Sequence, residues 1–345
     1  MRKGDNPVRD KLLEKSTAFH RIIIPLHIPS ETDEYYKDAF SIFTYCLFSV
    51  RKTAISDVKI SVVCNGCAES VHQKVLQLSN ENYIDELIIE KEKIGKINSI
   101  LRALRNAEED LITITDADVL FCNGWEDAVI ELFKQFPKAG AICPVPVFRK
   151  HFHLTSNIWL RHLFSNKLRF LPVKNPEAMT RFANSIGWSW LDIKYKDVIG
   201  TLQSKNGTIA VLGCSHFVST YKREVFEKLP KENSKYLLGG DSEFLYTDKP
   251  VLQIGAYRLS TYENYAFHMG NVLEDWMTDI FQSIQVVEVK NKFPKLNKIK
   301  YNPLLNYSFI ENTFKYLLTF KPIKRKLLKM KGLNKEQIVN FTEKT

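Results

Sequence analysis

Cysteine is scarce in this chain: six in 345 residues, at positions 46, 64, 67, 122, 143 and 214. That density is too low for a disulfide framework and suits a reducing compartment, so a cytoplasmic protein is expected. No apolar run approaches the ~18 residues that span a bilayer. The opening residues, assigned as a leader over 1–16, lack the apolar core of a signal peptide. No Gly-rich loop follows the first β-like run, where Pro25, Leu26, His27, Ile28, Pro29 and Ser30 stand. This excludes a dinucleotide fingerprint and a Walker-type phosphate loop at that place. The run Gly213, Cys214, Ser215, His216, Phe217 misses the last glycine of a nucleophile elbow. Cys64 and Cys67 have zinc-like spacing but no second pair at a usual separation, and read as small core thiols.

Acidic residues are nearly missing from one stretch only. Residues 291–345 hold 13 Lys and Arg against 3 Glu, an excess equal to the net charge of +10 of the whole chain. The first 290 residues are neutral, with 36 basic and 36 acidic side chains. A nucleic-acid-binding body would present a basic working face, so no nucleic-acid partner is expected. The electrostatic character lies in the C-terminal extension, assigned as 286–345.

What is present is an alternation of β-like and helical patterns. Residues 21–26, 59–63, 86–90 and 111–115 read as strands. Between and after them lie helical segments near 31–50, 68–78, 97–107 and 125–136, the first with Tyr36, Phe40, Phe43, Leu47 and Val50 on one face. Ser30 followed by Asp33 reads as the capping start of that first helix. Strands separated by such helices imply right-handed crossovers and an α/β fold, a mostly parallel sheet covered on both faces. One folded unit is assigned to 17–285, in two halves over 17–140 and 141–285. The stretch 142–200 reads as irregular and rich in aromatics, His and Arg. In open α/β sheets ligands bind beyond the carboxyl ends of the strands. Asn65, Lys96, Asn98, Asp116 and Asp118 should therefore share one cleft.

Asp116 and Asp118, closing the fourth strand, carry the sharpest signal. Two carboxylates one residue apart repel unless a cation lies between them. Hard oxygen ligands suit Mg²⁺ or Mn²⁺, which keep waters and accept diphosphate oxygens. The bland reading is a solvated turn after a strand. Lys96 opens a helix behind Gly95 and offers a point charge for phosphate; it also fits an exposed helix-start lysine. Gly239 and Gly240 precede Asp241, Ser242 and Glu243, either a carboxylate poised to take a proton from a hydroxyl or a turn that caps a helix. His268 is a third candidate metal ligand, or an ordinary core histidine. Trp188 and Trp190 could stack on a ligand or pack as core or lid, and His216 lies on a further β-like run.

Together these residues resemble the GT-A glycosyltransferases, in the style of inverting family 2, over roughly residues 20–271. The resemblance rests on the strand order, Lys96, Ile97 and Asn98 ahead of the acidic strand, Asp116 and Asp118, the segment 239–243, and His268. It implies a metal-dependent transferase that moves a sugar, hexosyl or N-acetylhexosaminyl, from a nucleotide-sugar donor, UDP-linked, with inversion. The acceptor would be a glycan or a lipid-linked hydroxyl in surface polysaccharide or glycoconjugate synthesis. An acceptor-binding half over 141–285 would hold it, with sugar faces on Trp188 and Trp190 and His216 on the strand beneath, while 17–140 would be the nucleotide-sugar-binding half. Pro25, Leu26 and Asn65 would hold the nucleoside, and Lys96 and Asn98 would lie near it or its diphosphate. Asp118 and His268 would ligate Mn²⁺ or Mg²⁺, with Asp116 at the ribose or at the metal. Asp241 would be the base, but a Glu-Asp doublet is absent, so Asp241 and Glu243 both stay open. The Asp pair common after the second strand is replaced by Cys64 and Asn65. A sugar-nucleotide nucleotidyltransferase is the rival enzyme, though it would want the missing Gly-rich loop; a non-catalytic carbohydrate-binding protein on the same fold is the other. The segment 321–331 mixes cationic and apolar residues: either it touches an anionic inner membrane face, or it is a basic helix packed on the catalytic unit. Oligomeric state is not legible.

Overall fold

A computed structural model describes residues 4, 9, 11, 12, 18–188, 190–290, 292, 293, 295–300 and 306–342. The leader assigned to residues 1–16 lies outside the described residues apart from positions 4, 9, 11 and 12. The strands are β1 (His20–Leu26), β2 (Val58–Asn65), β3 (Glu86–Glu90), β4 (Leu111–Thr115), β5 (Val119–Phe121), β6 (Ala139–Cys143), β7 (Leu168–Pro172), β8 (Val198–Gln203), β9 (Ile209–Leu212), β10 (Val218–Lys222), β11 (Tyr257–Thr261) and β12 (Ala266–His268). The helices are α1 (Ala39–Thr53), α2 (Glu69–Asn80), α3 (Lys96–Leu104), α4 (Trp125–Gln135), α5 (Ser156–Arg161), α6 (Pro176–Ser185), α7 (Lys194–Asp197), α8 (Lys249–Gln253), α9 (Asp275–Ser283), α10 (Tyr307–Thr319), α11 (Lys321–Met330) and α12 (Lys335–Thr342).

Among the described residues a ten-stranded sheet runs β3-β2-β1-β4-β10-β6-β11-β9-β8-β7, with β5 and β12 forming a separate ladder. The first four strands are all parallel. Ile22, Ile23 and Ile24 of β1 are fully buried, as expected of a central parallel strand covered on both faces. Beyond β4 the sheet is mixed: β10 lies antiparallel between β4 and β6, β11 runs parallel to β6, and β9, β8 and β7 follow antiparallel. The expected α/β architecture stands.

Two local expectations are corrected. The first helix begins at Ala39, not near residue 31. Ser30 does act as a cap, its Oγ accepting from the amides of Thr32 and Asp33 at 3.2 Å each, but it closes a turn. Short polar side chains bond the local backbone in non-helical geometry as readily as at a helix start. The stretch 142–200, expected irregular, holds α5, β7, α6, α7 and β8. Its β7 pairs with β8 across the intervening helices, Leu168 opposite Leu202 and Pro172 opposite Val198, so no local hairpin signal announces it.

The C-terminal extension folds onto the body. Leu327, Leu328 and Phe341 are buried, Lys331 Nζ donates to the carbonyls of His162 and Ser165, and Glu311 of α10 accepts from the amide of Leu154 at 2.7 Å. No helix among the described residues is long and apolar enough to cross a membrane.

Candidate active site

The carboxyl ends of β1, β2 and β4 open into a cleft with two adjoining cavities. The smaller, about 320 Å³, is lined by Pro25, Leu26 and Asn65 with His27, Lys93 and Asp118. The larger, about 600 Å³, is walled by Phe148, Met179, Phe182, Trp188 and Phe217 and carries Arg149, Lys150, His216, Glu243 and His268. Lys96 and Asp116 line both.

The acidic pair is set by backbone pairing. The Asp116 amide donates to Phe217 O at 2.7 Å. The register of β5 on β12 places Val119 opposite His268, and Met269 N donates to Asp118 O at 2.7 Å. His268 Nε2 therefore comes within 3.4 Å of an Asp118 oxygen. Ligand atoms from Asp116, Asp118 and His268 all lie within 4.8 Å of one another. Asp118 Oδ1 and His268 Nδ1 are buried without a hydrogen-bond partner. Burial first, and then the neighbouring Asp116, pushes the Asp118 carboxyl up to about 6 despite attraction to His268. Buried polar atoms are otherwise nearly always paired. One carboxylate oxygen and one imidazole nitrogen without partners, clustered with the Asp116 carboxylate, suit a divalent cation of the Mn²⁺ or Mg²⁺ type.

Lys96, the first residue of α3, links the cavities. Its Nζ lies 2.6 Å from Asp116 Oδ1 and 3.1 Å from Glu243 Oε1. Burial works against its charge, but the two carboxylates outweigh it and hold the ammonium above its ordinary value. Gly95 makes this position possible. Its φ is +92°, and a Cβ there would fall 2.8 Å from the Leu237 backbone, whose carbonyl accepts from Lys96 N at 3.0 Å. Only glycine combines that conformation with so close a contact.

Glu243 is clamped from the far side by His216, Nδ1 to Oε2 at 3.0 Å. His216 Nε2 meets Asp248 Oδ2 at 2.8 Å, and Arg258 pairs with the other Asp248 oxygen at 2.5 Å. The His216 hydrogen bond, with Lys96, draws the Glu243 carboxyl down to about 2 against the effect of burial. His216 itself is lowered by burial but raised more by Asp248 and Glu243, ending at about 8.

Most sequence-expected residues meet here: Pro25, Leu26, Asn65, Lys96, Asp116, Asp118, His216, Glu243, His268 and Trp188 all line the cleft. Three do not. Asn98 braces a loop, its amide donating to the carbonyls of Ile94 and Ser234 and its oxygen accepting from Ser234 N. Asp241 is exposed and lines neither cavity. Trp190 is 71% exposed and also stands outside. Sequence reasoning missed Arg149, Lys150, Asp248 and Arg258. The Arg-Lys pair sat in the aromatic-rich middle as a visible signal; Asp248 and Arg258 gave none, because only the tertiary fold pairs them.

Residues 36–229 match the family described as Glycosyl transferase family 2. No curated protein matches the chain. Among solved structures the chain is similar to S. aureus TarS 1–349, at 14% identity and TM-score 0.42 over 72% of this chain and 60% of that one. It is also similar to a mannosyltransferase, PcManGT from Pyrobaculum calidifontis, in complex with GDP-Man and Mn²⁺, at 15% identity and TM-score 0.41 over 95% and 88%. A third is GalNAc-T7 with UDP, GalNAc and Mn²⁺, at 10% identity and TM-score 0.45 over 75% and 45%. The chain spans about 60% of the length of the TarS structure.

Proposed function

As the chain belongs to glycosyl transferase family 2, we propose that it transfers a sugar from a nucleotide-sugar, UDP-linked, to an acceptor hydroxyl on a glycan or lipid-linked glycan, with inversion. One observation carries this reading: ligand atoms of Asp116, Asp118 and His268 converge within 4.8 Å where the two cavities meet beside Lys96.

Asp116, Asp118 and His268 would hold Mn²⁺ or Mg²⁺, which when bound neutralises the departing diphosphate. The smaller cavity takes the nucleoside. Asn65 Oδ1 already accepts from the amides of Ile94 and Gly95 at 2.7 and 3.1 Å, so recognition of a base carbonyl falls to its NH₂ group. Lys96 places its ammonium against the diphosphate. The acceptor occupies the larger cavity, with a sugar face on Trp188. Of the two carboxylates left open by the sequence, Glu243 lines that cavity and Asp241 does not, so Glu243 is assigned as the base. Pinned by Lys96 and His216 it is a weak base. A diphosphate competes for the Lys96 ammonium, which raises the basicity of Glu243 when the donor is in place. The test is thermal shift with UDP and Mn²⁺, singly and together, followed by a hydrolysis screen of UDP-sugars. Stabilisation only by the pair, with slow hydrolysis of one donor, is expected; no response to either overturns the reading.

The membrane partner belongs to the same proposal. Phe309 and Tyr316 of α10, Phe320 at the junction and Ile323 of α11 are 72, 64, 44 and 44% exposed, beside exposed Lys321 and Lys326. An apolar stripe rimmed by lysine fits an anionic inner-leaflet surface. Co-sedimentation with phosphatidylglycerol vesicles should be lost on Phe309→Ser with Phe320→Ser; sedimentation that survives removes the membrane contact.

A further inference from the structure

The larger cavity has more positive charge than its own carboxylates can match. Six basic side chains line it, Lys96, Arg149, Lys150, His153, His216 and His268, against Asp116 and Glu243. Burial holds His153 down at about 4, and His268 stands with the Asp116 and Asp118 cluster. Lys96 is engaged by Asp116 and Glu243, and His216 by Glu243 and by Asp248 behind it. Asp248 is in turn matched by Arg258. Arg149 and Lys150 are left over, and neither forms an ion pair among the described residues. The Arg149 guanidinium lies over two rings instead, 4.7 Å from the centre of Trp188 and 5.8 Å from that of Tyr195. Lys150 is half-buried, and burial, then Arg258, holds its ammonium below the ordinary value despite the opposing pull of Asp248 and Glu243.

Arg149 is exposed in a turn with half-buried Lys150 beside it, and the chain there is anchored at several points. Arg149 has a φ of +67°, and His153 N closes the turn on Lys150 O at 2.9 Å. Gly213 is required beneath it: with φ +104°, a Cβ there would lie 2.7 Å from the Lys150 Cβ. Trp159 Nε1 donates to His151 O at 2.6 Å, and buried Glu311 of α10 takes the amide of Leu154. Holding a desolvated ammonium and a positive-φ arginine in fixed positions costs stability, and an anion bound between them offsets that cost. The donor does not supply it from the smaller cavity, because neither Arg149 nor Lys150 lines that one.

We propose that the acceptor carries an anionic group, a phosphate or a carboxylate, which Arg149 and Lys150 bind in the larger cavity while Trp188 covers an adjacent sugar face. This rests on the transferase reading for the word acceptor, but the anion site stands on geometry alone. A hydroxyl neighbouring the anionic group would then face Glu243. Arg supplies a planar fork for oxyanions and Lys a point charge, so the pair suits either group.

The test is calorimetric titration of the full-length protein, metal-free with EDTA and again with saturating UDP and Mn²⁺. The probes are glycerol 3-phosphate and glucuronate, against neutral glycerol and glucose. At least one anionic probe should bind ten times more tightly than its neutral counterpart, with or without UDP. Arg149→Gln combined with Lys150→Gln should weaken that binding at least tenfold at a melting temperature that holds or rises, and Lys150→Arg alone should keep most of it. Preference for the phosphate or for the carboxylate tells which group is read. Equal binding of charged and neutral probes, or displacement of the anionic probe by UDP, overturns the proposal. Hydrolysis of UDP-sugars by the unmodified protein separates the two readings. Hydrolysis without anion binding overturns this inference alone, and anion binding without hydrolysis overturns only the transferase.

Discussion

The two ends of the parallel strands carry buried charge in opposite conditions. At the amino end every such group is matched. His20 contacts Glu126 at 2.6 Å and Thr113 at 2.7 Å, and the second Glu126 oxygen accepts from the amides of Ile55 and Ser56. Arg21 forms a fork on Glu109, 2.8 Å to each oxygen, and also reaches Ser61 and Glu86. At the carboxyl end, Asp118 Oδ1 and His268 Nδ1 have no partner, and Lys96 is shared between two carboxylates. Taking a charge out of water is costly unless it is paired and hydrogen-bonded. The same expense is thus balanced internally at one end of the strands and left open to a ligand at the other.

Asp118→Asn should show the largest effect, because it acts at the open end. Removing one group that supports developing charge lowers turnover by roughly 10²–10³, read as donor hydrolysis. The metal-free melting temperature should hold or rise, since the desolvated carboxylate it replaces is itself destabilising. A variant that loses its fold instead would place Asp118 with the amino-end groups and erase the contrast. Arg21→Met probes the matched end. It strands Glu109, which is 2% exposed, and breaking a buried pair costs about 3–5 kcal/mol. Urea unfolding should show that loss, while hydrolysis per folded molecule stays at the parent level. Lost hydrolysis with intact stability would reverse the assignment.

The same division explains what the sequence made legible. In the parallel half each strand, crossover helix and next strand are neighbours in the chain, so short-range periodicity reports them; residues 86–90 and 111–115 were read with the bounds of β3 and β4. The ligand end followed, because the carboxyl ends of β1, β2 and β4 converge by topology. Asp116 and Asp118 were legible for that reason. Beyond β4, strand order departs from chain order; β7 reaches β8 across the helices between them, and β9 reaches β11 from far along the chain. Leu168–Pro172 gives no strand signal alone, with a charged residue and a proline in five. The carboxylate choice was illegible too. Asp241 and Glu243 are two residues apart, and only the backbone path into the helical turn at Phe244–Asp248 sends one to the cleft and the other to solvent. Asn98 was misplaced because a helix-start amide looks alike whether it meets a ligand or the carbonyl of Ser234.

The smallest effect concerns a group between the two conditions, His216, which is paired yet lines the open cavity. Its folded pKa of about 8 exceeds the ordinary 6.5, so its contribution to stability is complete below the ordinary value and lost as pH rises through about 8. Glu243 behaves oppositely: lowered from 4.5 to about 2, it contributes fully above its ordinary value and ceases to as pH falls through about 2. Near neutrality only His216 titrates in this pair. Its shift corresponds to about 2 kcal/mol, and its 25% side-chain exposure reduces this to about 1 kcal/mol through solvent screening. Urea unfolding at about pH 6 and about pH 9 should therefore show that much more loss in the parent than in His216→Asn. Equal slopes would mean that Asp248 and Glu243 do not hold the imidazolium, and that His216 belongs with the unmatched groups of the cleft.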